Sequence, residues 1–224
     1  MRRLLASLAL VLACGGALAA PRENRGAAAG DFDLYLLALS WSPGFCASGG
    51  AAKAPDQCAV GAGLGFVVHG LWPQSEQGYP SYCLPQGRYP QRRDVAAVRG
   101  VMPSEGLARY EWKKHGTCSG LPPSQYFAAI AKVYASLETP EAYRAPDQDV
   151  QVAPIDIERA LSAANPGLRL DMITVDCGRG DDGGPVLQEV RICMTKDLRG
   201  FRTCPQEVQR DTCRARSITV PRVR

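Results

Sequence analysis

Asp31-Phe32-Asp33-Leu34-Tyr35-Leu36-Leu37-Ala38-Leu39-Ser40-Trp41 is the stretch whose reading decides the fold. Phe32, Leu34 and Leu36 fall on one face of an extended chain and Tyr35 and Leu37 on the other, so the segment reads as a largely buried strand. Working outward, Ile173 to Cys177 and Val186 to Met194 read as two further strands joined by a hairpin-type turn at Gly183-Gly184-Pro185. The second of these alternates Leu187, Glu189 and Arg191 against Val190 and Ile192. Phe66-Val67-Val68 is a short apolar run that delivers His69 into a Gly70-Leu71-Trp72-Pro73 turn. Helical spacing marks Asp94 to Val101, a longer helix capped by Ser124 with Phe127, Ile130, Val133, Tyr134 and Leu137 on one stripe, and Ile155 to Ala164. Ser42 to Gly65, Gln74 to Gln91 and Arg199 to Arg224 read as loops or irregular chain. With no repeat and no internal linker, the 224 residues predict one α+β domain.

The N-terminus carries a different signal. Arg2 and Arg3 precede an apolar run from Leu4 to Ala13, and Ala17-Leu18-Ala19 fits the small-x-small pattern of a secretory leader. Residues 1–19 are therefore expected to be a signal peptide, residues 20–30 a flexible Ala- and Gly-rich lead-in, and residues 31–224 the functional domain. Lipid attachment at Cys14, in Val11-Leu12-Ala13-Cys14, is a minor alternative, because Leu12 is not the small residue preferred there. No later stretch approaches the roughly 18 apolar residues of a membrane span.

Export decides how the cysteines are read. Of nine, Cys14 lies in the leader; the other eight are Cys46, Cys58, Cys83, Cys118, Cys177, Cys193, Cys204 and Cys213. An even number in an oxidising compartment predicts four disulfides and leaves their pairing open. A zinc site is disfavoured, since there is no C-x2-C pair and neither histidine stands in ligand spacing. Removing Arg2 and Arg3 lowers Lys plus Arg from 26 to 24 against 22 Asp plus Glu, a net charge near +2. That excludes a polycation that coats nucleic acid, so any RNA contact belongs to a local cleft.

The chemistry rests on two histidines. His69 stands in Phe66-Val67-Val68-His69-Gly70-Leu71-Trp72-Pro73 and His115 in Glu111-Trp112-Lys113-Lys114-His115-Gly116-Thr117-Cys118. Each is followed by glycine, which lets backbone pass close to a ligand, and each has a tryptophan three residues away. One neutral imidazole can accept a proton while a protonated one donates, and a pKa near 6.5 makes both states accessible. Lys114 can stabilise charge developing on phosphorus. Glu111 shares a helical face with Lys114 and His115. Such a set suits attack by a ribose 2′-OH on its own phosphodiester, which needs no activated serine or cysteine. A solvated helix face is the competing reading of Glu111 and Lys114, and a core tryptophan that of Trp72.

Val68-His69-Gly70-Leu71-Trp72-Pro73, and Glu111-Trp112 followed by Lys114-His115-Gly116-Thr117-Cys118, resemble the two active-site segments of the ribonuclease T2 family, in order and separation. The resemblance runs from about Asp31 to the C-terminus and includes Leu39-Ser40-Trp41-Ser42-Pro43-Gly44-Phe45-Cys46. It implies an α+β domain with a central, mainly antiparallel sheet flanked by helices. It also implies an endoribonuclease that cleaves single-stranded RNA through a 2′,3′-cyclic phosphate without metal or cofactor. His115 would be the general base, His69 the general acid, and Glu111 and Lys114 would stabilise the transition state. Trp72, Tyr110 and Gln74 are the candidate substrate contacts, and Tyr79 a further one at the base pocket. Relatives often carry a histidine, thought to hold the phosphate, where this chain has Tyr110, which donates a hydrogen bond without charge. The implied disulfides are Cys46 with Cys58, Cys83 with Cys118, Cys177 with Cys213, and Cys193 with Cys204; the second would fix His69 relative to His115. The expected protein is a monomer in the periplasm or the medium. The rival readings are a secreted RNA- or protein-binding member of the fold with lost or weak catalysis, and a metal-dependent hydrolase.

Overall fold

The computed structural model describes residues 22–84 and 89–224; the expected leader, residues 1–19, and positions 20 and 21 lie outside the described residues. In chain order the elements are β1 (Glu23–Arg25), β2 (Leu34–Trp41), α1 (Ser42–Ala47), β3 (Phe66–Gln74), β4 (Tyr79–Ser81), α2 (Arg92–Ala96) and α3 (Glu105–Lys114). They continue with α4 (Pro123–Ala135), β5 (Val150–Val152), α5 (Pro154–Ala164), β6 (Ile173–Arg179), β7 (Pro185–Thr195), α6 (Gln206–Arg210) and β8 (Ile218–Val220).

β2 is the centre of the main sheet, antiparallel to β3 on one side and to β7 on the other. β7 also pairs antiparallel with β6, across a hairpin in which Gly183 takes a φ of 81°. The short antiparallel pair of β5 and β8 joins in parallel through Val186 and Thr219. β3 lies at the sheet edge, which is why it tolerates Pro73. Its Val68 N–H instead donates outward to the Val101 carbonyl at 2.9 Å.

The double-sided apolar character of β2 has a direct cause. Tyr35, Leu37, Leu39 and Trp41 pack into the main core with Val68, Leu71, Val190, Ile192 and the buried faces of α3, α4 and α5. Leu34 and Leu36, on the other face, meet Cys193, Cys204, Val208 and the ring of Trp72. Phe32 precedes the strand and folds into the main core with its ring 4.8 Å from that of Tyr35, so the expected alternation does not extend back to it. Leu37 is wholly buried, and its truncation to alanine is worth about 2–5 kcal/mol of stability.

Several expectations are corrected. The lead-in expected to be flexible is hydrogen-bonded into the fold from residue 22 on: β1 pairs in parallel with β4, and the Gly30 N–H donates to the Cys118 carbonyl at 2.9 Å. Backbone pairing holds it, with Glu23 accepting from the Ser81 hydroxyl at 2.6 Å and Arg25 lying over the Tyr82 ring. α2 ends at Ala96 rather than Val101, before the left-handed Gly100. α4 begins at Pro123, which fills the first helical position, so Ser124 lies inside the helix and Pro122 stands at the cap. The supposed loops contain α1 and β4, and the tail contains α6 and β8. The four disulfides join Cys46 to Cys58, Cys83 to Cys118, Cys177 to Cys213 and Cys193 to Cys204.

Candidate active site

β3 presents His69 by a departure from regular pairing. Ala38 of β2 opposes Gly70 and Leu39 opposes Val68, leaving His69 as an extra residue, a β-bulge. In an unbroken strand residues three apart point to opposite faces. Here the bulge lets Val68 and Leu71 share the core while His69 and Trp72 share the opposite, open face. His69 is thus within a strand, not at the strand-to-turn junction expected from its neighbours.

α3 delivers the second segment. Ser104 caps it by accepting the Leu107 N–H at 3.1 Å, and Ala108 and Trp112 bury one side in the core. Glu111 and Lys114 belong to its other side, and His115 follows as the C-cap, its N–H donating to the Glu111 carbonyl at 2.8 Å. Glu111, only 1% exposed, reaches across to the first segment. Its Oε2 accepts the indole N–H of Trp72 at 2.6 Å, and its Oε1 lies 3.7 Å from His69 Nε2.

Trp72 stands between the imidazoles, its ring centroid 5.1 Å from that of His69 and 5.2 Å from that of His115. The glycines have a different use from the one expected. A Cβ on Gly70 would fall 2.1 Å from Trp72 Nε1 and 2.5 Å from Glu111 Oε2, and one on Gly116 would fall 2.5 Å from the Trp112 ring. Each glycine makes room for a protein side chain. Trp112, unlike Trp72, is a core residue packed against Tyr126 and Phe127.

These residues line a cleft of about 530 Å³ with Gln74, Tyr79, Tyr110, Lys114 and Arg191. A neighbouring cavity of about 460 Å³ shares His69 and Tyr110 with it, so His69 lies between two hollows. Tyr110 is half exposed beside Tyr82, whose hydroxyl pushes its pKa up. Gln74 is buried, its carbonyl accepting the Asp33 N–H at 2.8 Å, and the Tyr79 ring lies 6.2 Å from that of His115. All eight residues singled out in the sequence for catalysis or substrate contact therefore line one cleft.

The two imidazoles are driven apart in protonation. Burial, followed by the charges of Lys114 and His69, lowers His115 to about 3. Its Nδ1 is buried with no hydrogen-bond partner among the described residues, which leaves Nε2 as the nitrogen available to a substrate. Burial also pulls His69 down, yet the hydrogen bond and charge of Glu189, with the charge of Glu111, outweigh it and leave His69 above its ordinary value. Burial raises Glu111, against the opposing pull of His69, Trp72 and Lys114.

Glu189 and Arg191 are the residues that sequence reasoning missed. Glu189 Oε2 accepts from His69 Nδ1 at 2.7 Å and its Oε1 accepts from Arg191 Nε at 2.7 Å; Arg191 in turn donates to Asp176 at 3.2 Å. Their alternation along β7 was visible, but it marks a polar face in general. Only the register that sets Glu189 opposite Ser40 of β2, near the bulge, brings it to His69. Among the described residues no group of three or more His, Cys, Asp and Glu is arranged to hold a metal ion.

A cleft that brings together two oppositely shifted imidazoles, a buried carboxylate and a lysine has the groups for acid–base chemistry on an α+β fold. Comparison with known proteins makes this particular. The chain matches the model of the ribonuclease T2 family over residues 32–204 and belongs to that family, an RNA-cleaving endoribonuclease by class. It is 36% identical over 188 residues to "Ribonuclease" of Aeromonas hydrophila, covering 81% of this chain and 80% of that one. It is 28% identical over 228 residues to "Ribonuclease DdI" of Dictyostelium discoideum, covering 92% of each. Among solved structures, the SF11-RNase of Nicotiana alata superposes with a TM-score of 0.65 at 22% identity, over 87% of this chain and all of that one. Ribonuclease MC1 from bitter gourd seeds superposes with a TM-score of 0.63 at 21% identity, over 84% and 99%. At these identities the two structures establish the fold.

Proposed function

We propose that the cleft cleaves single-stranded RNA by transphosphorylation, with His115 as base and His69 as acid. The observation that carries this reading is the meeting of the two imidazoles on either side of Trp72 in one cleft with Glu111 and Lys114, in surroundings that displace them in opposite directions. His115 Nε2 takes the proton of a ribose 2′-OH, and the freed oxygen attacks the adjacent phosphorus. The bond from phosphorus to the 5′-oxygen breaks, and His69 Nε2 delivers its proton to that leaving oxygen. Lys114 offsets the added charge on the phosphoryl oxygens, and Glu111, which holds the Trp72 indole by a hydrogen bond, shares in stabilising the transition state. The product is a 2′,3′-cyclic phosphate, which water opens with the histidine roles reversed.

The hollows on both sides of His69 offer room for a nucleotide on each side of the scissile phosphate. Trp72 and Tyr79 give one of them apolar surface for a base, with tolerance of base identity. Gln74 and Tyr110 supply neutral hydrogen-bonding groups there. Four disulfides suit an oxidising compartment, so the same reading has the chain exported to periplasm or medium after loss of residues 1–19, acting as a monomer.

The test is cleavage of RNA in EDTA between pH 5 and 8 by the purified protein, its His69→Ala variant and its His115→Ala variant. The wild type should release cyclic-phosphate ends, and each variant should lose about 100-fold or more of the rate. Wild-type protein without such ends, or either variant cutting at the wild-type rate, would overturn the assignment.

A further inference from the structure

We infer that Glu189 is a positioning residue for the proton donor of the cleavage step: its carboxylate, held from behind by Arg191, turns His69 so that Nε2 enters the cleft. The inference rests on His69 being that donor, as proposed above. Both Glu189 oxygens are engaged, one by His69 Nδ1 at 2.7 Å and the other by Arg191 Nε at 2.7 Å. Glu189 is 6% exposed, so little water competes for either bond. The Ser40 hydroxyl, across on β2, lies 3.5 Å from the same oxygen that His69 uses. Arg191 is itself held at its far end by Asp176 of β6. A carboxylate fixed at both oxygens fixes the ring it binds, and a bond at Nδ1 sets which nitrogen meets the substrate.

Nε2, on the other side of the ring, lies 3.7 Å from Glu111 Oε1, beyond hydrogen-bond distance, and is left for the leaving oxygen. Charged and titratable groups face His69 from every element around it. Glu189 and Arg191 come from β7, while Glu111, Lys114, Tyr110 and the C-cap His115 come from α3. Lys53, from the segment after α1, lines the hollow on the far side. Of these, Glu189 alone is hydrogen-bonded to the ring, and it favours the charged form that a donor needs. Without it, only the charge of Glu111 would oppose the desolvation that pulls this imidazole down.

The chain contains two histidines, so the titration of each ring can be followed separately by NMR in the free protein, with His69→Ala assigning the signals. In Glu189→Gln the His69 midpoint should fall by about 1–3 pH units, while that of His115 holds. The alkaline limb of the cleavage rate should move down with it, in kcat rather than KM, and Glu189→Asp should restore part of both. Arg191→Gln should move the His69 midpoint the opposite way, because it removes an opposing cation while leaving Glu189 charged. An unmoved His69 midpoint in a folded Glu189→Gln protein overturns the inference, as does a midpoint that moves without the alkaline limb. Should Glu189→Gln not fold, a fall or no change in Arg191→Gln overturns it. Failure of the underlying assignment shows separately, as retained cleavage in His69→Ala.

Discussion

At the scale of single residues, the contrast between His69 and His115 is one of neighbours. His115 is buried and His69 partly open to the cleft; His69 faces two carboxylates, while His115 faces Lys114 and a second imidazole. If His115 must be neutral and His69 protonated, the cleavage rate should persist on the acid side until the pH nears 3, where His115 gains its proton. On the alkaline side it should fall only above the ordinary histidine midpoint, because the raised His69 keeps its proton through that value. A kcat/KM profile over pH 3 to 9 checks both limbs; a loss of activity centred near 6.5 on the acid side would contradict the reading. Trp72→Phe keeps a ring between the imidazoles and removes the N–H that Glu111 accepts. A hydrogen bond to a charged group is worth about 1.5–3 kcal/mol, so kcat should fall roughly 10- to 100-fold, with His115 titrating nearly as before. Tyr110→His would add a charge-assisted donor to the cleft and should lower KM about fivefold below pH 6, read by steady-state kinetics. That His69, Glu111, Lys114 and His115 belong to one site was legible in the sequence from the two motif segments, whose family resemblance weighed against a solvated helix face for Glu111 and Lys114. Glu189 was not, since a charged residue in an alternating strand is ordinary until its partner across the sheet is known.

At the scale of elements, the apolar pattern of β2, the β6–β7 hairpin and α5 could be read nearly to the residue. Those elements bury side chains with a regular period. β1, β4, β5 and β8, three residues each, escaped, for their pairing is carried by backbone and has no composition of its own. The bulge escaped for a related reason: it is a property of two strands in register, and β3 alone reads as a short run followed by a turn. It also makes an unusual prediction. Excising His69 would set Gly70 directly beside Val68, opposite Ala38 and Leu39, without moving Leu71 or Trp72 to the wrong face. A variant lacking residue 69 should therefore fold with a Tm within a few degrees of wild type, measured by circular dichroism, and cleave no RNA. Excising Leu71 would turn the residues that follow it across the sheet, and that variant should fail to fold.

At the scale of the whole molecule, two disulfides tie down segments next to the cleft. Cys83–Cys118 ties the segment after β4 to the turn that follows His115, where Tyr82 N–H also donates to the Lys114 carbonyl at 2.8 Å. Cys193–Cys204 is packed with Leu36 and Val208 beneath the floor beside Trp72. His69 is held by the sheet itself, so the first bond braces chiefly His115 and the Tyr79 wall, a narrower role than the sequence suggested. At equal folded fraction, Cys83→Ser should lower kcat more than Cys204→Ser does; equal losses would show that the bond serves stability alone. The bulge carries a last consequence, for heredity. Loss of a single codon would remove the histidine proposed as acid and leave a sheet more regular than before, so a folded, inert form of this protein is one small deletion away. Regaining the enzyme from that form requires an insertion at one position only. Selection on the shape of the molecule could not hold that histidine; selection on its chemistry must.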